Sequence, residues 1–410
     1  VVAHNFAVIG GDRPGEGNLV SGNRNGGIAI ENGNNTFSNR VAGNFIGVDV
    51  TGTNALPNLN YGLYLSGVSG LQVGGATLGA RNVISGNRNA GILISGGFGA
   101  LPSSIQGNII GLGADGVTPI PNTSFGIQLI GVPGAIVGGL NPNEGNIISA
   151  NTDSGIALSQ NRHSTLVAGN IIGLDATGTL RRGNGGRGIS HGSGTNNALR
   201  ANRIAYNAGL GIDLLPAGLN TNNVAGNSSR PDPLLNFPTI DFATNTGTNI
   251  LITGRLDGAP DLLYDLEFFL SDFCDPTGFG EGQTFLGTAA VRTDIDGHAS
   301  FGVAMPTAPG AIITATATAP YGNTSEFSRC VLMAGATNLL QLRIRRTGTA
   351  AIEWSSAALG YQLQSTTNLT PPVQWTPHTN GIFDDGMIRR YNISQEKPKP
   401  FPIFFRLFRP

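Results

Sequence analysis

Residues 81–94 read RNVISGNRNAGILI, and similar phrases stand 64 residues away in both directions, as GNLVSGNRNGGIAI at 17–30 and GNIISANTDSGIAL at 145–158. A second phrase recurs between these copies, as GNFIG at 43–47 and GNIIG at 107–111 and 169–173. Self-similarity at a fixed period is typical of stacked architectures, in which each unit buries its apolar face against its neighbours. The sequence therefore predicts a solenoid in the first half of the chain.

The repeating unit is predicted to consist of strands. Its apolar runs are short, rich in Ile and Val and punctuated by Gly and Asn, and no window sustains a helical period. We interpret each 64-residue unit as two coils, one of about 26 residues and one of about 38, whose excess lies in the loop near 47–58 and its copies. Roughly seven coils fit before residue 227.

Asparagines recur in register with the coils. Stacked at the coil corners, their amides can bond up and down the stack, and Asn tolerates the left-handed backbone that such corners need. We interpret them as structural. The three series are Asn18, Asn82 and Asn146; Asn44, Asn108 and Asn170; and Asn58, Asn122 and Asn184.

On these repeated GNxIG, xDxTGT and VISGN phrases, residues 1–227 resemble the right-handed parallel β-helix proteins of the pectate-lyase-like superfamily, particularly the repeat-bearing type of large secreted bacterial proteins. The resemblance implies a right-handed parallel β-helix and an extracellular or cell-surface address. It implies no activity, because one fold carries many functions.

The rest of the chain is predicted to form two further β domains, which makes the fold class all-β. A polar, proline-containing stretch at 228–233 predicts a boundary, and residues 228–335 alternate like an antiparallel β-sandwich. Residues 336–410 are predicted to form a small β-module. It resembles C-terminal modules of secreted bacterial proteins that carry a YQLQSTTNL phrase, here at 361–369, which implies a role in attachment or export.

Composition limits the partners and the compartment. A net charge of −1 offers no attraction to nucleic acid, and no apolar run approaches the roughly 20 residues of a membrane span. Cys274 and Cys330 are too few for a disulfide framework and lack metal-ligand spacing. They are expected either to form one bridge in an oxidising compartment or to be buried thiols.

Catalysis and metal binding have little support. Polysaccharide-cutting β-helix enzymes need clustered carboxylates, and residues 1–229 contain nine, thinly spread. Asp49 and Asp175 share a repeat register and are weak metal candidates, but the copy between them has Gly113. No cofactor is expected.

Two fragments resemble polygalacturonase-type motifs, one ending at Asp153 and the other beginning at His191. The positions of Asp153 and His191 within the repeat give a simpler interpretation. Asp153 aligns with the corner residue Asn25, and His191 aligns with the inward-facing Leu129. We therefore expect a corner residue and a core histidine, and keep the pair only as a weak catalytic alternative.

Our leading functional hypothesis is a non-catalytic extracellular structural or adhesive protein that assembles head to tail. Residues 6–11 align with internal strands, so we expect that upstream residues have been removed and that either those residues or a neighbouring subunit covers the first coil. The expected assembly edges are Phe6, Val8 and Ile9 at one end and Phe404 and Phe405 at the other. Two alternatives are a polysaccharide lyase or glycosidase, and a passive module that binds a surface polysaccharide.

Overall fold

The computed structural model describes residues 6–96, 101–160, 164–192, 194–223, 234–334, 343–345, 351–355, 361–370, 373–384, 388–393 and 403–408. Its first half is a parallel β-solenoid, in which three sheets of seven strands each run along the axis. The second half consists of antiparallel sheets. The predicted all-β class, solenoid first and antiparallel sheets after it, is confirmed. The predicted domain boundaries after residues 227 and 335 lie outside the described residues.

Each coil of the solenoid contributes one strand to sheet A, then one to sheet B, then one to sheet C. In chain order the strands are β1 (Val8–Gly10), β2 (Leu19–Val20), β3 (Ile28–Phe37); β4 (Arg40–Ala42), β5 (Phe45–Ile46), β6 (Leu63–Ser69); β7 (Gln72–Gly74), β8 (Val83–Ile84), β9 (Ile92–Ser95); β10 (Ser104–Gln106), β11 (Ile109–Ile110), β12 (Ile127–Ile130); β13 (Ile136–Gly138), β14 (Ile147–Ile148), β15 (Ile156–Ser159); β16 (Leu166–Ala168), β17 (Ile171–Ile172), β18 (Ile189–His191); and β19 (Ala198–Arg200), β20 (Arg203–Ile204), β21 (Ile212–Leu214). One 3-10 turn, Leu78–Ala80, interrupts the third coil.

Columns of apolar side chains fill the inside of the solenoid. Because parallel strands pair in register, Ile84 lies over Ile110 and Ile110 over Ile148, and each is fully buried. Burying one such side chain stabilises a fold by about 1.5–3 kcal/mol. A single core cluster extends from Ile28 to Leu214 and holds the coils together.

Two ladders of asparagines run the length of the solenoid at its corners. At each step the amide nitrogen of one asparagine donates to the Oδ1 of the next, as Asn108 does to Asn146 at 2.9 Å. The steps from Asn18 onward are 26, 38, 26 and 38 residues, which confirms the two coil lengths. The ladders are Asn18, Asn44, Asn82, Asn108, Asn146, Asn170 and Asn202, and Asn23, Asn58, Asn87, Asn122, Asn151, Asn184 and Asn207.

Loops of alternate coils stand on opposite sides of sheet B, which explains the double period. Loops in every second coil also stack on each other, because Ala114 N donates to Gly52 O and Ala176 N to Gly116 O, both at 2.9 Å. Sheet B therefore lies at the bottom of a groove parallel to the axis. The extra residues are 11–18, 75–82 and 139–146 on one side, and 47–62, 111–126 and 173–188 on the other.

Beyond the solenoid, two sheets pack face to face around a core that includes Tyr264, Phe268 and Ile313. One sheet has three strands and the other four. A disulfide joins Cys274 to Cys330 and ties the loop after the central strand to the segment before the last strand. The strands are β22 (Thr239–Asn245), β23 (Asn249–Asp257), β24 (Leu263–Ser271), β25 (Thr284–Arg292), β26 (His298–Pro306), β27 (Ile312–Thr318) and β28 (Val331–Leu332).

The C-terminal part has a small core of its own around Ile352, Trp354 and Leu363. Its two sheets contain four and three strands. The strands are β29 (Arg343–Arg345), β30 (Ala351–Ser355), β31 (Gln362–Thr366), β32 (Thr376–His378), β33 (Ile382–Asp384), β34 (Ile388–Asn392) and β35 (Phe404–Phe408).

Removing one amide from a ladder should destabilise the solenoid. Asn108→Ala removes the acceptor of Asn82 N and Nδ2, takes one of its two donors from Asn146 Oδ1 and breaks the bond to Val73 O. We expect a loss of about 3 kcal/mol or more, since each unsatisfied buried group costs about 1–3 kcal/mol. Denaturant unfolding measures this loss. Asn25→Ala, at an exposed corner with one 3.4 Å contact, is the control and should change little. Equal effects would contradict a structural role for the ladder.

Removing the disulfide should destabilise the sandwich. The bridge closes a loop with a sequence separation of 56 residues, and the chain-entropy relation assigns such a loop about 4 kcal/mol. Chemical denaturation of the Cys274→Ala, Cys330→Ala double variant should show this loss. Adding reductant to the native chain should produce a similar shift and none in the double variant. A native chain indifferent to reductant would contradict the prediction.

Candidate functional site

The two ends of the solenoid differ. At the end of the seventh coil, the sandwich binds all three strands. Ile204 N and O exchange hydrogen bonds of 2.8 Å with Gly282, which extends sheet B by one bridge. On sheet A, Leu199 N donates to Thr324 Oγ1 at 2.9 Å. The sandwich thus closes this end of the solenoid.

Three glutamates complete this closure, one beside each strand of the seventh coil. Glu267 accepts from Ala201 N at 2.7 Å and pairs with Arg200. Glu326 accepts from Leu214 N at 3.0 Å, on sheet C. Phe269 and Phe327 of the sandwich join the apolar core of the solenoid and cover its end. Together, these contacts make the closure both polar and apolar.

Glu281 ends the second asparagine ladder. Its Oε1 accepts from Asn207 Nδ2 at 2.8 Å and from Asn207 N at 3.2 Å, as the next asparagine in a ladder would. Its Oε2 accepts from Tyr206 N. Burial and the nearby Asp275 raise the pKa of Glu281 to about 8, although these three donors favour the ionised form. Burial also raises the pKa of Glu326.

The first coil has an open end within the described part of the chain. There, β1, β2 and β3 each pair on one side only. Phe6 and Val8 are 73% and 61% exposed, and Ile9 is half-buried against the solenoid core. The structure therefore places the three residues predicted for this assembly edge together, two of them facing solvent.

The amide hydrogen bonds of the ladders all point the same way along the solenoid. In every step, the asparagine of the earlier coil donates and that of the later coil accepts. Among the described residues, the Oδ1 atoms of Asn18 and Asn23 receive no donor, and both side chains are exposed. A chain that adds to the first coil must therefore bring N–H donors to this face.

At the other predicted edge, the structure separates the two phenylalanines. Among the described strands, β35 lies at the edge of its sheet and pairs only with β31. Phe404 is 36% exposed, whereas Phe405 is half-buried and packs against the small core beside His378 and Tyr391. Phe404 and Phe408 thus remain on the surface of this strand.

Asp153 and His191 have separate structural roles. Asp153 Oδ1 accepts from the backbone N of Ser154 at 2.7 Å. His191 lies in the inward column between Leu158 and Leu214, where burial lowers its pKa and its Nε2 is 2.9 Å from Asn197 Nδ2. No described contact joins the pair.

The aspartates of the sheet B loops close their own loops. Asp175 Oδ1 accepts from the backbone N of Thr179 and Leu180, both at 2.8 Å. Burial raises its pKa, but these bonds outweigh burial and hold the pKa below its usual range. Hydrogen bonds from Asn54 and Thr51 lower the pKa of Asp49 in the same way.

The middle copy of this loop is closed by a different residue. Gly113 occupies the aspartate register, but Asp115, two positions later, accepts from Val117 N and Thr118 N at 2.9 Å. The carboxylates therefore serve loop closure in all three copies. Within the described residues, no three His, Cys, Asp or Glu side chains converge on a possible metal site.

Comparisons with known proteins do not assign this chain to a family. The chain matches no protein-family model, and a search among curated proteins finds no relative. No helix in the described ranges has the length and apolar character needed to cross a membrane.

Sequence reasoning missed the three glutamates of the closure. Glu267 gave a usable signal, because it interrupts the apolar run Leu266-Glu267-Phe268, and a carboxylate in such a run requires a partner. Glu281 and Glu326 lie in irregular segments without a repeat register, where no comparable signal exists.

The closed end should weaken at high pH. Because Glu281 has a raised pKa in the folded state, its contribution to stability is full below the unfolded value near 4.5 and is lost as pH rises to about 8. We expect the free energy of unfolding to fall by up to about 5 kcal/mol between these pH values. Denaturant titrations at pH 5, 7 and 9 measure it.

The matched variants are Glu281→Gln, which should flatten this pH dependence, and Glu31→Gln, which is exposed and should leave it unchanged. Residual dependence in Glu281→Gln is expected from Glu326. Identical pH profiles for the native chain and Glu281→Gln would refute the role of Glu281.

Proposed function

We propose that this chain is a non-catalytic structural or adhesive protein of the cell exterior, whose first coil accepts a β-strand from a second copy. One observation carries the proposal: the sandwich closes one end of the solenoid, while β1, β2 and β3 have unpaired outer edges in the described residues. An unpaired strand edge is a template for another chain.

The construction of the solenoid supports a mechanical role. Two amide ladders and a continuous apolar core join every coil to the next. The residues considered for catalysis or metal binding are engaged in loop closure, a corner or the core. These contacts favour a rigid support over an enzyme.

An exterior location is supported by the disulfide, since such bonds persist in oxidising compartments. The resemblance to right-handed β-helices of the pectate-lyase-like superfamily in secreted bacterial proteins points to the same location. So does the resemblance of the C-terminal part to attachment or export modules. Secretion, bacterial origin and superfamily membership are parts of this proposal.

The strand that we propose for the docking is β35 of a neighbouring copy. It is an outer strand, and Phe404 and Phe408 present apolar surface on it. Its free backbone N–H groups can meet the acceptors of the first coil, including Asn18 and Asn23. Because the two surfaces differ, the contact is head to tail, and such contacts form filaments when they do not close into a ring.

Blocking the edge of β1 should prevent assembly. Ala7 O and Gly11 N bond to β4. Because the backbone groups of successive residues in a strand point to opposite sides, those of Val8 point to the open side. Val8→Pro removes the free N–H while leaving those two bonds in place. We expect the native chain to form concentration-dependent oligomers by sedimentation and filaments by electron microscopy, and Val8→Pro to remain monomeric.

Phe404→Lys should have the same effect from the other surface. Ile295→Ser, which removes an 84% exposed apolar side chain elsewhere, is the control and should assemble normally. A native chain that stays monomeric at every concentration, or variants that assemble as well as the native chain, would rule out this function.

A further inference from the structure

The sandwich stands where an eighth coil of the solenoid would stand. Asn184 of the sixth coil donates to Asn207 Oδ1 from its backbone N at 3.2 Å and from Nδ2 at 2.8 Å. Asn207 donates to Glu281 Oε1 from the same two atoms at the same two distances. The sandwich therefore offers the seventh coil the acceptor that the ladder asparagine of a further coil would offer.

The backbone and core contacts of the junction follow the same pattern. Within the solenoid, Ile172 O accepts from Ala205 N of the next coil at 3.0 Å. Ile204 holds the position of Ile172 in the seventh coil, and its N and O exchange hydrogen bonds of 2.8 Å with Gly282 of the sandwich. Phe327 of the sandwich joins the apolar core at this end, as an inward residue of another coil would.

The match is incomplete, because the ladder that begins at Asn18 does not continue into the sandwich. Asn170 bonds backward to Val137 O and forward to Asn202, both at 2.9 Å. Among the described contacts, Asn202 Nδ2 donates to Val167 O of the preceding coil at 2.7 Å and to no group of the sandwich. The sandwich also buries three carboxyl groups at this junction, where a coil would bring neutral amides, and burying a carboxylate costs free energy.

The first coil of a second copy has the groups that this end of the solenoid requires. Within the described residues, the Oδ1 atoms of Asn18 and Asn23 receive no donor, and these two asparagines hold the ladder positions of Asn202 and Asn207. The unpaired edges of its three strands belong to the same three sheets that end at the seventh coil. A first coil added there would therefore continue both ladders, all three sheets and the apolar core.

We propose that the sandwich is an autoinhibitory plug, which occupies the docking site for the first coil of a second copy of this chain. When the plug is displaced, two solenoids join end to end through the seventh coil of one copy and the first coil of the other. This contact differs from the docking of β35, because it joins coil to coil and uses the opposite end of the solenoid. Both contacts use the first coil, so each first coil makes only one of them at a time.

Cysteine cross-linking between two full-length chains detects the end-to-end contact. Val8 and Ala198 hold the same position of sheet A, so this contact places Val8 of one copy beside Ala198 of the other. Paired positions in neighbouring strands lie about 4.8 Å apart, within the range of about 4.4–6.8 Å between the Cα atoms of a disulfide. Val8→Cys chains are mixed with Ala198→Cys chains under mild oxidation, and the 8–198 link is quantified by mass spectrometry. Both chains also carry Phe404→Lys, which removes the proposed β35 contact.

Loosening the plug in the copy that supplies the seventh coil should increase this link. Glu281→Ala deprives Asn207 of its acceptor, and we expect the yield of the 8–198 link to rise about tenfold or more. Glu326→Ala breaks the bond from Leu214 N and should raise the yield as well, so it decides the matter if Glu281→Ala does not fold. Asp296→Ala removes an exposed carboxylate of the sandwich and is the matched control, in which the yield should stay low.

The acceptors of the first coil are tested in the other copy. Asn23→Ala removes the acceptor proposed for Asn207 and should reduce the link several-fold, whereas Asn25→Ala, at an exposed corner, should not. A yield in Glu281→Ala and Glu326→Ala no higher than in the control would overturn the inference, even where the native chain assembles through β35. An equal loss in Asn23→Ala and Asn25→Ala would also contradict it. A native chain without filaments, but with the link formed as expected, would remove the β35 contact alone.

Discussion

The amide ladders at the corners are the constraint on which the rest of this structure depends. A coil can turn only where its backbone leaves the sheet. The backbone N–H and C=O groups that lose their sheet partners there are buried between coils. Asn108 satisfies them in both directions, since it donates to Val73 O and Asn146 and accepts from Asn82. Without these asparagines, the buried polar groups at those corners would stay unpaired, at a cost of about 1–3 kcal/mol for each group.

The same ladders make the two ends unequal. Every step runs from donor to acceptor along the chain, so the last coil needs an acceptor, and Glu281 provides it. The first coil instead presents the acceptors Asn18 and Asn23. The two ends in the described residues thus need partners of opposite hydrogen-bonding character, which fits the head-to-tail assembly proposed for this chain.

The double period has a consequence for the surface. Alternate coils place their extra residues on opposite sides of sheet B, and this alternation builds the groove that ends at the sandwich. The loops of the groove are closed by carboxylates, including Asp115 where the register alone predicts an interruption.

The sequence by itself determined the solenoid, because each repeated phrase specifies the same contacts in coil after coil. The 26- and 38-residue coils, the inward columns and the in-register asparagines are contained in the spacing of Ile, Gly and Asn, whereas only the structure joins the Asn18 and Asn44 series into one ladder. The sequence also placed His191 in the core, because it occupies the repeat position of the inward-facing Leu129. Only the tertiary structure decided the closure by Glu267, Glu281 and Glu326 and the packing of Phe405 against the C-terminal core. These contacts join segments far apart in the chain and occur once each, so no periodic pattern in the sequence predicts them.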